Sequence, residues 1–470
     1  MTIRRVFAPR IDFSALRREL ELPTEFPPAA QREAEAAATS THQAGNDRTA
    51  IPFVTIDPAT SRDLDQAVCL DRRDGGFRVY YAIADVIAVV RPGGPLEAET
   101  WKRGQTIYLP DGKVPLHPPV LSEGAASLLP DEDRAAVLWT IDLDAAGTTT
   151  RVQVERAIVR SRAKLDYVGV QSDVDAGRLH ESIALLPEIG RLLVARALDR
   201  GAIDLPMPEQ EVEPDGTGWK LTLRAPTPVE EWNAQISLLT GMAAARIMLD
   251  GGVGLLRTMP PAPAESIARL KGAAKALGIP WPHGASAGTV IAGVNPAEPH
   301  AAAFIDQAAE LMRGAGYTAF DGAPPEQPLH GAVAAAYAHV TAPLRRLADR
   351  YATEACLALT AGLEVPQWVR EALSRLPDVM SATDRTAGAA ARGAVDLTEA
   401  MLLKDRIGEE FEAAVVDVDN NHHKGGAVAI ADPPVRARCE GADLPLGERI
   451  RVRLVEADPG RRKVLFSAEG

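Results

Sequence analysis

"IPFVTIDPATSRDLDQAV", residues 51–68, is the stretch from which the fold can be read. Ile51, Phe53, Val54, Thr55 and Ile56 favour a buried extended segment. The run ends at Asp57, and a loop with two further acids, Asp63 and Asp65, precedes the next apolar pair, Ala67 and Val68. Asp63 and Asp65 are two apart, so on extended backbone their carboxylates point to one side. Carboxylates that close repel one another unless a positive charge stands among them. Two readings compete for that charge. All-oxygen ligands on a strand-end loop suit a hard cation such as Mg²⁺, which binds through a few carboxylates and keeps waters for a phosphate. Arg62 offers the other reading, a salt-bridged surface turn. An EF-hand is excluded, because its central glycine and closing glutamate are both missing. "DLD" at 142–144 and "DVD" at 417–419 show that acidic doublets also serve this chain as plain strand-end turns.

The 470 residues suggest two or three domains. A net charge of −13 argues mildly against a polyanionic partner. A locally basic channel remains compatible with it, and bound cations would offset some of the acids. The three cysteines are far apart and odd in number, which fits neither a disulfide framework nor a metal-ligand spacing. A reducing, cytoplasmic setting is expected. No signal-peptide run opens the chain, and no apolar stretch approaches the roughly eighteen residues needed to span a membrane.

The expected fold class is α+β, in three parts. Residues 1–46 read as a small helical module: "DFSALRREL", with Asp12 as its N-cap, and the proline-led "PPAAQREAEAAA". Residues 47–405 read as a large mixed α/β domain. Strands "AIPFVTID", "FRVYYAIADVIAVV", "AAVLWTIDLDAAG" and "TRVQVERAIVRS" come first. Helices "PEIGRLLVARALDR", "PVEEWNAQISLLTGMAAARIMLD", "AESIARLKGAAKALG" and "RRLADRYATEACLALTAG" follow. Residues 406–470 hold five short strands broken by Gly, Pro and Asn, which suits a Greek-key barrel of the OB type. There Arg449, Arg451 and Arg453 alternate with Ile450, Val452 and Leu454, giving one apolar face and one basic stripe able to bind phosphate.

A second cluster is "YAHVTAPLRRLADR", residues 337–350. Pro343 favours a helix start at or just after it, which places Arg345 and Arg346 where a planar donor fork and a helix N-terminus can share a phosphate. The competing reading is structural pairing with Asp349. Tyr108, in "RGQTIYLPDGKVPLHPP", either stacks on a base or is simply packed. Glu230 and Glu231 open a long helix, where the dipole alone would favour them.

"FVTIDPATSRDLDQAV", "YYAIADV", "IYLPDGKVPLHPPVLSEGAASLLP" and "HVTAPLRRLADR", in that order, resemble the RNB-type catalytic domain of the ribonuclease II and R family. The closing barrel is similar to the family's OB-fold RNA-binding domain. The resemblance implies a monomer that hydrolyses single-stranded RNA processively from its 3′ end and releases nucleoside 5′-monophosphates. It implies one or two Mg²⁺ ions, with Mn²⁺ as a substitute. By position, Asp57, Asp63 and Asp65 match the catalytic, metal-binding acids. Tyr108 matches a tyrosine stacking near the 3′ end, and Tyr167, in "KLDYVGV", another lining the site. Arg345 matches the arginine at the scissile phosphate, with Arg346 beside it on the RNA, and Glu230 or Glu231 a glutamate near the terminal nucleotide.

The sequence departs from the family at several positions. Gln66 stands where many relatives carry a fourth aspartate; its amide can hydrogen-bond a metal-bound water or offer a carbonyl oxygen, but one negative charge is lost. Leu205 replaces an aromatic of some relatives, which puts a two-sided stacking clamp in question, and Ala342 and Leu347 replace a serine and a tyrosine. The first fifty residues are too few for the family's pair of cold-shock barrels. The alternative function is a catalytically weakened relative that binds RNA and scaffolds partners; Gln66 is its main support.

Overall fold

The computed structural model describes residues 6–8, 11–40, 45–206, 209–215, 218–296, 298–419 and 425–468. Parts of the N-terminal module therefore lie outside the described residues. Within it, helices form at Ser14–Glu19 and Pro28–Ala38. Asp12 does not cap the first through its terminal turn; its carboxylate accepts instead from the Ser14 amide two residues on.

The apolar run after Ile51 becomes strand β1 (Phe53–Asp57). It is followed by β2 (Gln66–Arg73), β3 (Gly76–Ala84), β4 (Asp133–Asp144) and β5 (Thr149–Asp166). Each pairs antiparallel with the next from β1 to β5. The length of β5 closes the sheet on itself. Its early part pairs with β4, from Leu143↔Thr149 to Asp133↔Arg160, and its end runs parallel to β1, from Phe53↔Ser161 to Asp57↔Asp166. Asp57 thus lies beside Asp166, whose carboxylate caps helix α1 (Tyr167–Asp175) by accepting from the Gly169 amide. This register is what puts Tyr167 next to the acidic loop. "FRVYYAIADVIAVV" is shorter as a strand than its sequence suggests. It leaves the sheet at Asp85, whose carboxylate is drawn to Arg156 in an ion group with Glu354.

Helices α2 (Leu186–Asp199), α3 (Pro228–Gly251) and α4 (Leu347–Thr360) cover the sheet. Val79, Tyr81, Trp139 and Ile141 from the strands share one buried core with Ile189, Trp232, Ile236, Leu239 and Tyr351 from the helices. Helix α2 approaches α3 closely because residue 190 is glycine; a Cβ there would lie 2.3 Å from the Trp232 ring. Helix α4 begins at Leu347 rather than near Pro343. The reason is that the preceding backbone is claimed by carboxylates: the Ala342 amide donates to Asp349 and the Leu344 amide to Asp65, both at 2.7 Å. A long helix, α5 (Leu376–Leu403), is an addition to the expected elements; its many alanines and glycines blur the apolar periodicity.

The C-terminal strands β6 (Glu410–Val418), β7 (Gly426–Ile430), β8 (Arg436–Glu440), β9 (Arg449–Asp458) and β10 (Lys463–Ala468) form a closed barrel in the order β6-β7-β8-β10-β9. Phe411, Val415, Val428, Val452, Leu454 and Phe466 fill it. The α+β class and the OB-type barrel therefore match the sequence expectation. No helix among the described residues is long and apolar enough to cross a membrane.

Glu399 of α5 ties the barrel to the main body, accepting from Gln210 Nε2 (2.8 Å) and from the Arg436 amide (3.2 Å). It is only 4% exposed, and burial pushes its carboxyl up to about 7. The folded state thus holds this proton more tightly than the unfolded chain, so stability falls as pH rises from 4.5 to about 7 and is flat above that. Glu399→Gln keeps the acceptor oxygen and removes the charge. It should stabilise the protein above the folded value by roughly 1–3 kcal/mol and change little below 4.5, as read by thermal unfolding across that range.

Candidate active site

Asp65 is 4% exposed, so its charge needs partners. They come from residues 341–346. The Leu344 amide donates to its Oδ1 at 2.7 Å, and Arg345 Nε lies 3.6 Å from its Oδ2. That segment is pinned on several sides. His117 Nδ1 donates to the Leu344 carbonyl (3.0 Å), and burial pushes His117 down to about 4, which keeps the ring neutral. The Thr106 amide donates to the Arg345 carbonyl (2.9 Å) and the Leu347 amide to the Gly104 carbonyl (2.9 Å). The Arg345 side chain stays 45% exposed. Burial raises Asp57 to about 6 and Asp65 to about 8, the guanidinium of Arg345 opposes both shifts, and the charge of Asp63 adds to both. The acids and Arg345 therefore share one electrostatic neighbourhood.

Asp63 is held differently. Lys113 Nζ sits between Asp63 (2.9 Å) and Glu123 (3.0 Å), and the Tyr108 hydroxyl donates to Asp63 Oδ2 (3.2 Å). Tyr108 and Lys113 face each other across the hairpin of Ile107–Leu109 and Gly112–Val114, so both reach the same carboxylate. The Tyr108 ring remains half exposed. Arg62 lends its carbonyl to Ser127 Oγ (2.6 Å) and forms no ion pair among the described residues, which removes the salt-bridged-turn reading.

Tyr167 accepts from Asn233 Nδ2 at 3.2 Å. Asn233 and Ser237 lie on one face of α3, and Glu230 belongs to it at i, i+3, i+7 spacing; its charge bears on Tyr167. The structure thus separates the two glutamates. Glu230 borders Tyr167, but it closes a capping box with Thr227 and pairs with Arg224 (2.7 Å). Glu231 turns away and lines a separate cavity of about 320 Å³ with Arg200, Asp204 and Gln235.

Three further expectations are corrected. Arg346 does not face the acids; its fork donates to both oxygens of Asp349 at 3.0 Å, close to Tyr317 and Tyr337. The amide of Gln66 is engaged by Thr341, Tyr81 and Ser237 rather than turned to a metal. The arginines of β9 do not form a basic stripe, because β6 sets Glu410 opposite Arg453 and Glu412 opposite Arg451; Arg453 pairs with Glu410 (2.8 Å) and Arg449 with Glu412 (2.9 Å). Leu205 packs with the helical cluster of Leu270 and Phe304. Asp142 pairs with Arg78 and Asp419 with Arg438, so both acidic doublets carry structural ion pairs. Lys113, Glu123, His117, Asn233 and Ser237 enter the site without having been anticipated. Only the hairpin register of Lys113 and the helical spacing from Glu230 were available as signals.

No group of three or more carboxylates, histidines or cysteines among the described residues gathers as a metal site. Asp63 pairs with Lys113. Asp57 Oδ2 is buried with no hydrogen-bond partner among the described residues, and Asp65 Oδ2 faces only the Arg345 contact. Two carboxylates completed by waters and substrate oxygens fit a Mg²⁺-type cation.

Comparison with known proteins gives a consistent placement. The RNB domain family matches residues 46–359, and the RNase II-type exonuclease C-terminal S1 domain matches residues 409–469. Exosome complex exonuclease RRP44 homolog A of Arabidopsis thaliana is 28% identical over 388 residues, covering 78% of this chain and 41% of that protein. Ribonuclease R of Escherichia coli (strain K12) is 25% identical over 474 residues, covering 89% of this chain and 56% of that protein. The chain therefore spans about half the length of these relatives. The apo form of Mycoplasma genitalium RNase R superposes with a TM-score of 0.84 at 20% identity, over 97% of this chain and 77% of that one. With the RNB match extending over more than half of its 470 residues, and a closed strand ring bearing the acidic loop beneath it, this chain belongs to the RNB-domain family.

Proposed function

We propose that this chain is a metal-dependent hydrolytic exoribonuclease that degrades single-stranded RNA processively from the 3′ end and releases nucleoside 5′-monophosphates. One observation carries the reading: the exposed guanidinium of Arg345, 3.6 Å from Asp65, in the same neighbourhood as an Asp57 carboxylate oxygen that has no hydrogen-bond partner among the described residues. Kinship with proteins named ribonuclease R and exosome complex exonuclease supports RNA as the substrate.

Asp57 and Asp65 would hold a Mg²⁺ or Mn²⁺ ion. Bound there, the ion supplies an activated water and charge stabilisation at the scissile phosphate. Arg345 offers its donor fork to the non-bridging oxygens as charge builds on them. Tyr108 presents a half-exposed ring on which a base can stack, with its hydroxyl tethered to Asp63. Tyr167, held by Asn233, borders the same space. Lys113 neutralises Asp63 and Glu123, which lowers the repulsion an incoming phosphate chain would meet. Contacts to phosphates carry no base information, so sequence preference should be weak. A second reading, RNA binding without cleavage, draws on the neutral amide of Gln66 where many relatives have an acid.

End-labelled single-stranded RNA separates the two. Mononucleotide release that Mg²⁺ supports and EDTA abolishes is the expected outcome; retained binding with no release in Mg²⁺ or Mn²⁺ would establish the second reading. Asp65→Asn should lower kcat about 10²–10³-fold while RNA affinity stays close to wild type, with circular dichroism to verify the fold. Arg345→Ala should lower kcat about 10²-fold with a much smaller change in KM, and an unchanged kcat would remove Arg345 from the chemistry.

A further inference from the structure

Residue 66 is the family's fourth acidic position, yet its side chain here meets three groups from three distant parts of the chain. Nε2 donates to the Thr341 carbonyl at 2.7 Å. Oε1 accepts from the Tyr81 hydroxyl at 2.5 Å and from Ser237 Oγ at 3.4 Å. Tyr81 and Ser237 are also 2.7 Å apart, so the three side chains form a closed polar knot between buried Tyr81 and the half-buried Gln66 and Ser237 at the edge of the site. The two hydroxyls bring two protons to three contacts, so Oε1 is committed to Tyr81 and Nε2 to Thr341, and both ends of the amide are engaged by protein groups.

The local geometry follows from the strand. Gln66 opens β2 and pairs with Ile83 of β3. Successive side chains of an extended segment point to opposite sides, so Gln66 points away from the side Asp65 takes, toward Tyr81 of β3 and Ser237 of α3. Asp65 grips the Leu344 amide, and Gln66 grips the Thr341 carbonyl. Two consecutive residues thereby hold both ends of the 341–344 turn, and Arg345 is the next residue. Tyr81, 1% exposed, and Ser237 anchor the amide from below.

We propose that Gln66 is a positioning residue: it fixes the turn that presents Arg345 to Asp65 and takes no part in holding a metal. The proposal rests on the site assignment above but not on turnover being detectable. Gln66→Met has nearly the same length and neither donor nor acceptor. In the full chain it should raise amide hydrogen exchange across residues 341–346 by about tenfold, since the turn loses its tether at Thr341 while those at Ala342, Leu344 and Arg345 remain. It should lower kcat about ten- to hundredfold through misplacement of Arg345, with KM for a single-stranded oligoribonucleotide within about twofold. Mn²⁺ affinity, measured directly on the apo protein, should not move. Gln66→Glu restores an acid but sets a carboxylate against the Thr341 carbonyl; it should resemble Gln66→Met and gain no Mn²⁺ affinity. A change in Mn²⁺ affinity of about tenfold in either variant would make residue 66 a ligand and overturn the proposal. Unchanged exchange at 341–346 would overturn it as well. If Gln66→Met does not fold, Tyr81→Phe, which removes one bond to the amide, supplies the same exchange readout with a smaller rise expected. A wild-type protein that binds Mn²⁺ yet cleaves no RNA would sink the nuclease reading while the exchange measurement still decides the role of Gln66.

Discussion

A carboxylate buried without partners is too costly to keep, and Asp65 is the buried carboxylate around which this molecule is arranged. Its partners, the Leu344 amide and the Arg345 guanidinium, come from 279 residues or more along the chain. Bringing them there requires the closed strand ring that supports the acidic loop, the helices packed across it, and the hairpin and His117 that fix the arginine segment from the other side. The site is thus a seam between two regions of one domain. Local strain is not what holds it; a set of hydrogen bonds to backbone groups is, and each of them satisfies a group that would otherwise be buried unpaired.

Charge placement matters more here than charge total. The chain carries −13, yet the site acids other than Asp57 each have an assigned cation or amide among the described residues. Arg345 serves Asp65, and Lys113 lies between Asp63 and Glu123. The adjacent arginines show how position divides identical chemistry. Arg345 remains 45% exposed, whereas the Arg346 side chain is 19% exposed and forked on a fully buried Asp349. The backbone turns between them, so one faces solvent and substrate while the other holds the start of α4 in place. On the barrel the same logic works the other way. Of three arginines that look like a phosphate track in one strand, Arg451 and Arg453 stand opposite glutamates of the next and Arg449 pairs with Glu412. Such exposed pairs add little stability, but they cancel the field that a basic stripe would project.

Much of this was legible in the residues. The apolar run into Asp57, the alternation of the C-terminal strands and the helical periodicity of the 228–251 segment are local patterns, and each became the element it suggested. The joint placement of the acids with Arg345 was what the family resemblance implied; neither cluster pointed to the other by its spacing. What was misread depended on partners. Gln66 read as a weakened ligand because its contacts, Tyr81, Ser237 and Thr341, are spread along the chain. Arg346 read as a phosphate contact because nothing in "PLRRLAD" says which arginine the buried Asp349 will take. The choice between Glu230 and Glu231 needed the rotation of α3 against α1, which sets Glu230 on the side of Tyr167.

The amino-acid sequence by itself determined most of the elements and the closing barrel, because strand and helix periodicity is written in neighbouring residues. Only the tertiary structure decided which polar groups face the site and which are consumed by the core. That outcome depends on strand register and helix rotation, where a shift of a single residue exchanges one face for the other.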